Sequence, residues 1–600
     1  MMRSLPARVL LALAVAAIAA SACSSPYIAG AAGYAVVLAL FALAVGLTYG
    51  QLGYVSFGHA AFFGIGAYTV GLLSVHTQLN YWALLPLAVL PGLLLGALVG
   101  WASVRVGGAY FAIATLTLAE MLRLIALNWV DLTRGPMGLM VMVPPLELAS
   151  RIGWNAQQAY LFVLVAVLGV VLALLARVIA APLGRSWALI RQAPAVAESV
   201  GIATTHARVV NVAISGGIAS LAGALLIPKI MVLSPDLFAT SLSAAGLLSV
   251  ILGGKASLIG PVIGGLLFGA LPEALRAIDE YRLGLFAVLL LLAVRLLPGG
   301  VVSLFQRAPG SQPTGPSERG ADAKPGEPLI APQAAHADAG APLVEVAGLT
   351  KRFGGVTAIS EVSFSVRRGE LLGLIGPNGA GKTTCFSMVS GFLAPTQGQV
   401  LLQGHAIHAL APSRVAAAGL VRTFQHSAHC PALTVEQNVL YACHLLHRER
   451  PWAGLVMTAA YRAREQARLA HARACIEAVG LQDRAGIVAA TLPYGEQKLL
   501  GVAIALAARP QVLLLDEPAA GLNHTEGLRL ARTLKRLQQE GCTLVVIDHN
   551  LPMLMSICER MIVLQHGVKI ADDTPAAIAA DPAVITAYLG VPQAEAAAAA

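Results

Sequence analysis

The stretch Gly376-Pro-Asn-Gly-Ala-Gly-Lys-Thr-Thr384 decides how the chain is read. Its spacing is G-x-x-x-x-G-K-[ST], and it follows the apolar run LLGLI at Leu371–Ile375 and precedes a helix-compatible segment. A strand, a glycine-rich turn and a helix in that order let backbone N–H groups curl around phosphate oxygens, and the helix N-terminus adds a favourable dipole. Gly376, Pro377, Asn378, Gly379, Ala380, Gly381, Lys382, Thr383 and Thr384 are therefore the expected cradle for a nucleotide's phosphates. Lys382 is expected on the β- and γ-phosphates of ATP, and Thr383 on Mg²⁺.

Farther along stands Val512-Leu-Leu-Leu-Asp516-Glu517. Four apolar residues read as a buried strand, and two carboxylates emerge at its C-terminal end, where α/β sheets place ligands. Asp516 is expected to hold Mg²⁺ through water, and Glu517 to polarise the attacking water. Strand-like runs alternate with helical patterns from Leu343 onward, so this half is expected to be an α/β P-loop domain.

The other half is of a different kind. Of 600 residues, 57% are hydrophobic and only 12% charged, against about 25% charged in a typical soluble domain. From Val9 to Val104 there is no Asp, Glu, Lys or Arg. About 20 apolar residues cross a bilayer, so this stretch alone can supply roughly four spans. Hydrophobic segments fall near 9–25, 28–50, 54–77, 82–104, 109–130, 158–180, 208–228, 237–254, 256–275 and 283–304, which predicts a polytopic α-helical membrane domain of about ten spans. Arg3 and Arg8, with the basic loops at Arg105 and at Arg177, Arg185 and Arg191, put both ends on the cytoplasmic side. The run ending Ala20-Ser-Ala-Cys23 imitates a lipoprotein signal, but apolar sequence continues at once and an uncleaved first span is expected. Glycine-rich spans, notably Gly53 to Gly71, suit close helix packing or broken helices at a substrate site.

The expected organisation is thus a transmembrane domain over 1–305, a Pro/Gly/Ser-rich disordered linker over 306–342, a nucleotide-binding domain over 343–590 and a tail over 591–600. The net charge of +9 comes without an Arg/Lys stripe interleaved with aromatics, so nucleic acid is not an expected partner. Six of the seven cysteines lie in the second half, none in a CxxC pair, and read as reduced thiols.

With these motifs in order, residues 343–590 resemble the nucleotide-binding domain of an ABC transporter. The resemblance adds roles for residues that composition does not single out. Phe353, in KRFGG, matches the aromatic that stacks on adenine. Gln425, in RTFQ, matches the glutamine that senses Mg²⁺, water and the membrane domain. His549, ending VVIDH, matches the switch histidine that contacts the γ-phosphate. Leu492-Pro-Tyr-Gly-Glu-Gln497 lies 19 residues before Asp516, counting from Gln497, where LSGGQ belongs. The resemblance points Gly495 and Glu496 at the nucleotide of an opposite subunit. Pro493 and Tyr494 depart from LSGGQ, and Gly521-Leu522-Asn523 departs from the SALD of many relatives. Pro493 removes a hydroxyl and an N–H from the phosphate shell, while proline is tolerated in a first helical turn.

Most of residues 27–305 resemble permeases of branched-chain amino-acid (LIV-type) ABC importers, through GQLGYVSFGHAAFFGIGAYT (50–69), GAYFAIATLTLAEMLR (108–123), PLGRSWALIRQAPAVAESVGI (182–202) and LGGKASLIGPVIGG (252–265). GPNGAGKTT, VRTFQH, PAAGLN and ITAYLG are similar to the same system's ATP-binding subunit, in which the signature often reads L-x-YG. Together they imply a permease–ATPase fusion in a bacterial inner membrane, with a cytoplasmic ATPase domain. The implied partners are a second permease and second ATP-binding subunit, or a second copy, and a periplasmic solute-binding protein. Ala197-Glu198 with Gly201, in the polar loop 181–208, resembles the EAA–G motif that docks into the ATPase. Urea, short amides or aromatic acids remain alternative cargoes, and an exporter or a catalytically inactive regulatory ATPase are rival readings. Glu120 and Arg123 are either functional intramembrane ions or a mutually satisfied pair. His59 is expected to serve packing or a helix cap more than substrate contact.

Overall fold

The computed structural model describes residues 25–77, 79–103, 108–143, 154–274, 281–305, 342–424, 429–446 and 458–589. The expected first span at 9–25 lies almost wholly outside these residues. The linker (but for Pro342), the tail, Arg105 and Gln425 lie outside them too. The chain forms two compact units, Met1–Arg191 with Thr205–Gly310, and Gln192–Thr204 with Ser311–Ala600.

The first unit is built from helices that are apolar on every side, as segments surrounded by lipid and by other helices must be. Among the described residues, six of its helices are long and apolar enough to cross a membrane: Pro26–Leu52, His59–Thr77, Tyr81–Ala102, Ala109–Asn128, Ala156–Ala180 and Thr204–Ile230. Three further expected spans are helices of 14, 15 and 15 residues, Thr240–Gly253, Gly260–Ala274 and Arg282–Leu296. Thr240–Gly253 and Arg282–Leu296 are shorter than the about 20 residues of a full crossing, and Gly260–Ala274 is described only up to Ala274. Thr240–Gly253 and Gly260–Ala274 are separated by a turn at Gly254, whose φ of +114° ends a helix.

Small residues bring these helices into backbone contact. A Cβ on Gly66 would overlap the carbonyl oxygen of Ser220, and one on Gly223 that of Phe63. The helices His59–Thr77 and Thr204–Ile230 therefore touch along their main chains. His59 begins its helix and is 1% exposed. Its Nε2 lies 2.7 Å from Ser215 Oγ, which itself donates to Ala44 O at 2.7 Å, so the imidazole is the donor of the first bond. Phe41 and Phe62 meet the ring edge-on. This is the packing role expected of His59. Glu120 and Arg123 satisfy one another: Nε reaches both carboxylate oxygens at 3.1 and 3.0 Å, and Nη2 reaches Oε1 at 2.7 Å.

The second unit carries two sheets. Five parallel strands and one antiparallel edge strand form the larger one. We number the strands of this unit β1 (Pro342–Phe353), β2 (Val356–Arg367), β3 (Leu371–Ile375), β4 (Gln397–Leu402), β5 (Leu420–Arg422), β6 (Val512–Asp516), β7 (Thr543–Ile547), β8 (Arg560–Gln565) and β9 (Val568–Asp573). The larger sheet runs β9-β8-β3-β7-β6-β5, and the antiparallel sheet runs β2-β1-β4 with the short edge His405–Ala406. Every residue of β3, β6 and β7 is buried, which is why LLGLI, VLLLD and TLVVI are unbroken apolar runs rather than alternating ones. One core joins the sheets, with Val344, Val346 and Leu349 of β1 against Leu372, Leu374, Val545 and Phe386. Each such side chain contributes roughly 1.5–3 kcal/mol on burial.

The register matters for function. Ile547 of β7 pairs with Asp516 of β6, and β7 also runs parallel to β3. The segments after β3, β7 and β6 therefore leave the same sheet edge side by side.

Candidate nucleotide site

Three loops meet at that edge. The first follows β3. Gly376 has a φ of +148°, and a Cβ there would overlap the carbonyl oxygen of Leu564, so only glycine fits. Asn378 and Gly379 are exposed at the loop's crest, and the helix Lys382–Val389 begins directly after it. Lys382 is 6% exposed, and its Nζ donates to the carbonyls of Gly376 (2.8 Å) and Pro377 (3.0 Å). Burial pulls this ammonium below the ordinary lysine range, and the nearby carboxylates of Glu517 and Asp516 oppose that pull. Thr383 is exposed on the first turn.

The second loop follows β6. Asp516 is 4% exposed and its Oδ2 accepts from Arg422 Nη2 at 2.7 Å. Glu517 comes next with a φ of +47°, a left-handed conformation that a non-glycine residue adopts only where its surroundings enforce it. The enforcement is visible. Its N–H donates to Ile547 O at 2.8 Å, and its carbonyl accepts from Lys498 Nζ at 3.4 Å. The third loop follows β7 and brings His549 Nε2 to 3.2 Å from Glu517 Oε1. Lys382, Asp516, Glu517 and His549, chosen from sequence, are thus gathered at one edge.

Asp548, beside His549, was not singled out from sequence. It is 3% exposed; its Oδ2 accepts from Ala519 N (2.7 Å) and its Oδ1 from Asn550 N (2.9 Å). It therefore staples the loop after Glu517 to the loop that carries His549. An acid directly before a candidate histidine at a strand end was the available signal. Arg422 likewise sat unweighed inside RTFQ, and nothing local marks Lys498.

Phe353 lies at the end of β1 with its ring half-exposed, and Lys351 Nζ is 5.3 Å from the ring centroid. The helix that Leu492–Gln497 opens spans Tyr494–Leu506, with Pro493 at its N-cap and no side-chain cap. Pro493 therefore sits where it costs the helix no hydrogen bond. Gly495 is buried, and Glu496 pairs with Arg484 at 3.4 Å, its side chain 16% exposed. Among the described residues, Cys385, Cys430, Cys443, Cys475, Cys542 and Cys558 form no disulfide and all are buried.

A phosphate-binding turn with a buried lysine, two carboxylates at a strand end and a histidine on the second carboxylate suit a Mg²⁺–nucleotide. Mg²⁺ usually keeps several waters and is held by one or two carboxylates plus substrate phosphates, and the buried Asp516 at this edge fits that requirement.

Comparisons with known proteins agree across both units. Residues 27–294 match a family described as branched-chain amino acid transport system / permease component. Residues 359–520 match the ABC transporter family, and 568–594 a branched-chain amino acid ATP-binding cassette transporter family. The high-affinity branched-chain amino acid transport ATP-binding protein BraF of Pseudomonas aeruginosa is 40% identical over 250 residues, 42% of this chain and 98% of that protein. LivG of Escherichia coli, of the same description, is 38% identical with the same coverage. A solved nucleotide-free ATP-binding cassette from an ABC transporter is 26% identical, covers 41% of this chain and 99% of its own, and gives a TM-score of 0.37. The chain belongs to the branched-chain amino acid ABC transporter family, as a multi-pass permease component and an ATP-hydrolysing cassette on one polypeptide.

Proposed function

We propose that this chain is the permease–ATPase subunit of an importer that carries branched-chain or related amino acids across a bacterial inner membrane. Residues 1–305 would form the pore half, 306–342 a linker, 343–590 the cytoplasmic cassette and 591–600 a tail. The observation that carries the reading is the Glu517–His549 contact at a P-loop edge, in a chain that also matches the permease family.

In this reading Phe353 stacks on adenine, and the amides of Gly376–Thr384 with Lys382 hold the phosphates. Glu517 accepts a hydrogen bond from the attacking water and aligns it with the γ-phosphorus, and His549 holds the carboxylate in that pose. Thr383, Asp516 and Gln425 would hold Mg²⁺, which neutralises charge on the β- and γ-oxygens when bound. Gly495 and Glu496 belong to the signature that faces the nucleotide of a second cassette. Gln192–Thr204, which groups with the cassette, carries Ala197, Glu198 and Gly201 and relays closure to the pore. A second permease and cassette, or a second copy, and a periplasmic solute-binding protein complete the machine.

The test is the ATPase rate of the assembled complex in nanodiscs, with solute-binding protein loaded in turn with leucine, urea or phenylalanine. Stimulation by the leucine-loaded protein that disappears in Glu517→Gln supports the proposal. Stimulation by urea or phenylalanine alone reassigns the cargo.

A further inference from the structure

We infer that Tyr494 is a positioning residue that ties the signature helix to the loop Glu517–Asn523 behind this chain's own hydrolytic carboxylate. Engagement of the opposite nucleotide is thereby passed to Glu517. The inference rests on the reading of Leu492–Gln497 as the signature.

Two neighbouring residues of the signature touch the segment downstream of Glu517. A Cβ placed on Gly521 would lie 2.9 Å from Tyr494 Cε1, closer than carbon atoms approach without displacement. A Cβ placed on Gly495 would lie 2.7 Å from Glu526 Oε1. Glu526 in turn closes a capping box with Asn523: its Oε2 accepts from Asn523 N at 3.1 Å, and its N–H donates to Asn523 Oδ1 at 2.9 Å. The start of the signature helix and the start of the helix His524–Gln539 are therefore packed as one body.

A third contact reaches Glu517 itself. Lys498 lies one turn along the signature helix, with Nζ 5.4 Å from the Tyr494 ring centroid. The same ammonium donates to the Glu517 carbonyl at 3.4 Å. Tyr494 thus flanks the cation that helps hold Glu517 in its left-handed conformation, at a φ of +47°. A ring pushed aside by a larger residue at 521 would leave Lys498 and loosen that hold.

Set against the wider ABC pattern, the two positions change reciprocally. A tyrosine stands at 494 where LSGGQ has glycine, and a glycine stands at 521 where SALD has alanine. The large residue occupies the room the small one leaves. A half-exposed aromatic without this role would be indifferent to the residue at 521.

The test is a double-mutant cycle on the full-length chain in the assembled transporter, reading kcat and KM for ATP. Gly521→Ala is expected to lower kcat about tenfold with KM unchanged. In a Tyr494→Gly background the same substitution is expected to lower kcat by less than about threefold, and in a Tyr494→Phe background by the full amount. Equal losses in all backgrounds would overturn the inference, because they would reflect only the positive φ of Gly521, +78°. Should Gly521→Ala fail to assemble, Tyr494→Gly alone decides: a lower kcat supports the inference and an unchanged kcat contradicts it. Gly495→Asp separates the underlying reading. Turnover that survives Gly495→Asp sinks the signature assignment itself, whereas turnover lost there together with an additive cycle sinks only the role of Tyr494.

Discussion

Arg422 and Asp516 form a buried ion pair, Nη2 to Oδ2 at 2.7 Å, with side chains 4% and 5% exposed. The guanidinium also donates from Nη1 to Ser387 Oγ at 3.0 Å and to Ser390 Oγ at 3.4 Å, and stacks 5.2 Å from the Phe424 ring centroid. One side chain thus joins β5, β6 and the helix that follows the phosphate turn, and it fixes one oxygen of the carboxylate assigned to Mg²⁺. Removing it leaves a buried charge unpaired, at a cost of about 3–5 kcal/mol. Arg422→Met is expected to lower the cassette's thermal transition sharply, and Arg422→Met with Asp516→Asn to recover most of the loss. Scanning calorimetry of the parent, Arg422→Met, Asp516→Asn and the double variant checks this; equal transitions in the parent and Arg422→Met would contradict it.

Lys382 and Glu517 separate binding from turnover. Glu517→Gln is expected to bind ATP and to hydrolyse it at least about 100-fold more slowly, the range for loss of a general base. Lys382→Ala is expected to lose binding. A fluorescent nucleotide titration and a phosphate-release assay distinguish the two, and comparable binding by Lys382→Ala would contradict the account.

The same lysine sets a pH dependence. Burial lowers its pKa, so the folded protein gives up this proton at a lower pH than a free lysine would. The ammonium proposed to hold phosphate is lost as pH rises through the depressed value. ATP affinity, measured on Glu517→Gln, is expected to weaken on the alkaline side before the ordinary lysine range of about 10.4. An affinity flat to that pH would show that the proton is retained.

Gly201 has a φ of +88°, and a Cβ there would lie 2.6 Å from Leu445 Cδ2. Gly201→Val is expected to disturb the docking of Gln192–Thr204 while leaving the nucleotide site intact. ATP hydrolysis should persist and substrate uptake should fall. Parallel losses of both would place Gly201 elsewhere in the mechanism.

Burial pushes the thiols of Cys385, Cys542 and Cys558 up to about 12. At pH near 8 they hold their protons and resist alkylation, since the thiolate is the nucleophile. Mass spectrometry after iodoacetamide is expected to find them unmodified in the folded protein and modified after denaturation. Rapid labelling without unfolding would show that these sites open.

The phosphate turn, Asp516 and Glu517 were legible because each is announced by its own few residues, a glycine spacing or carboxylates ending an apolar strand, whereas His549 was legible only through the family resemblance. Arg422 pairs with a residue 94 positions away, and Tyr494 packs on Gly521 across a helix and a strand. Such partners are set by how strands order in the sheet, which no local pattern records. The apolar segments at 237–254 and 256–275 were legible as helices but not in length. The first helix starts late because Pro235–Phe238 forms a separate 3-10 turn, and the second because residues 254–259 turn before Gly260; apolar residues continue through both turns, so hydropathy does not mark them. The polar segment 181–208 holds two short helices, Pro182–Gln192 and Pro194–Ser199, each opened by a proline, which in sequence marks turns as readily as helix starts.

Uptake of radiolabelled leucine into proteoliposomes tests the central claim most directly. The full-length chain would be reconstituted with its partner subunits and a leucine-loaded solute-binding protein, with ATP on the cassette side. Uptake that requires ATP and vanishes in Glu517→Gln is the expected result. ATP hydrolysis without leucine uptake, or uptake unaffected by Glu517→Gln, would contradict the account.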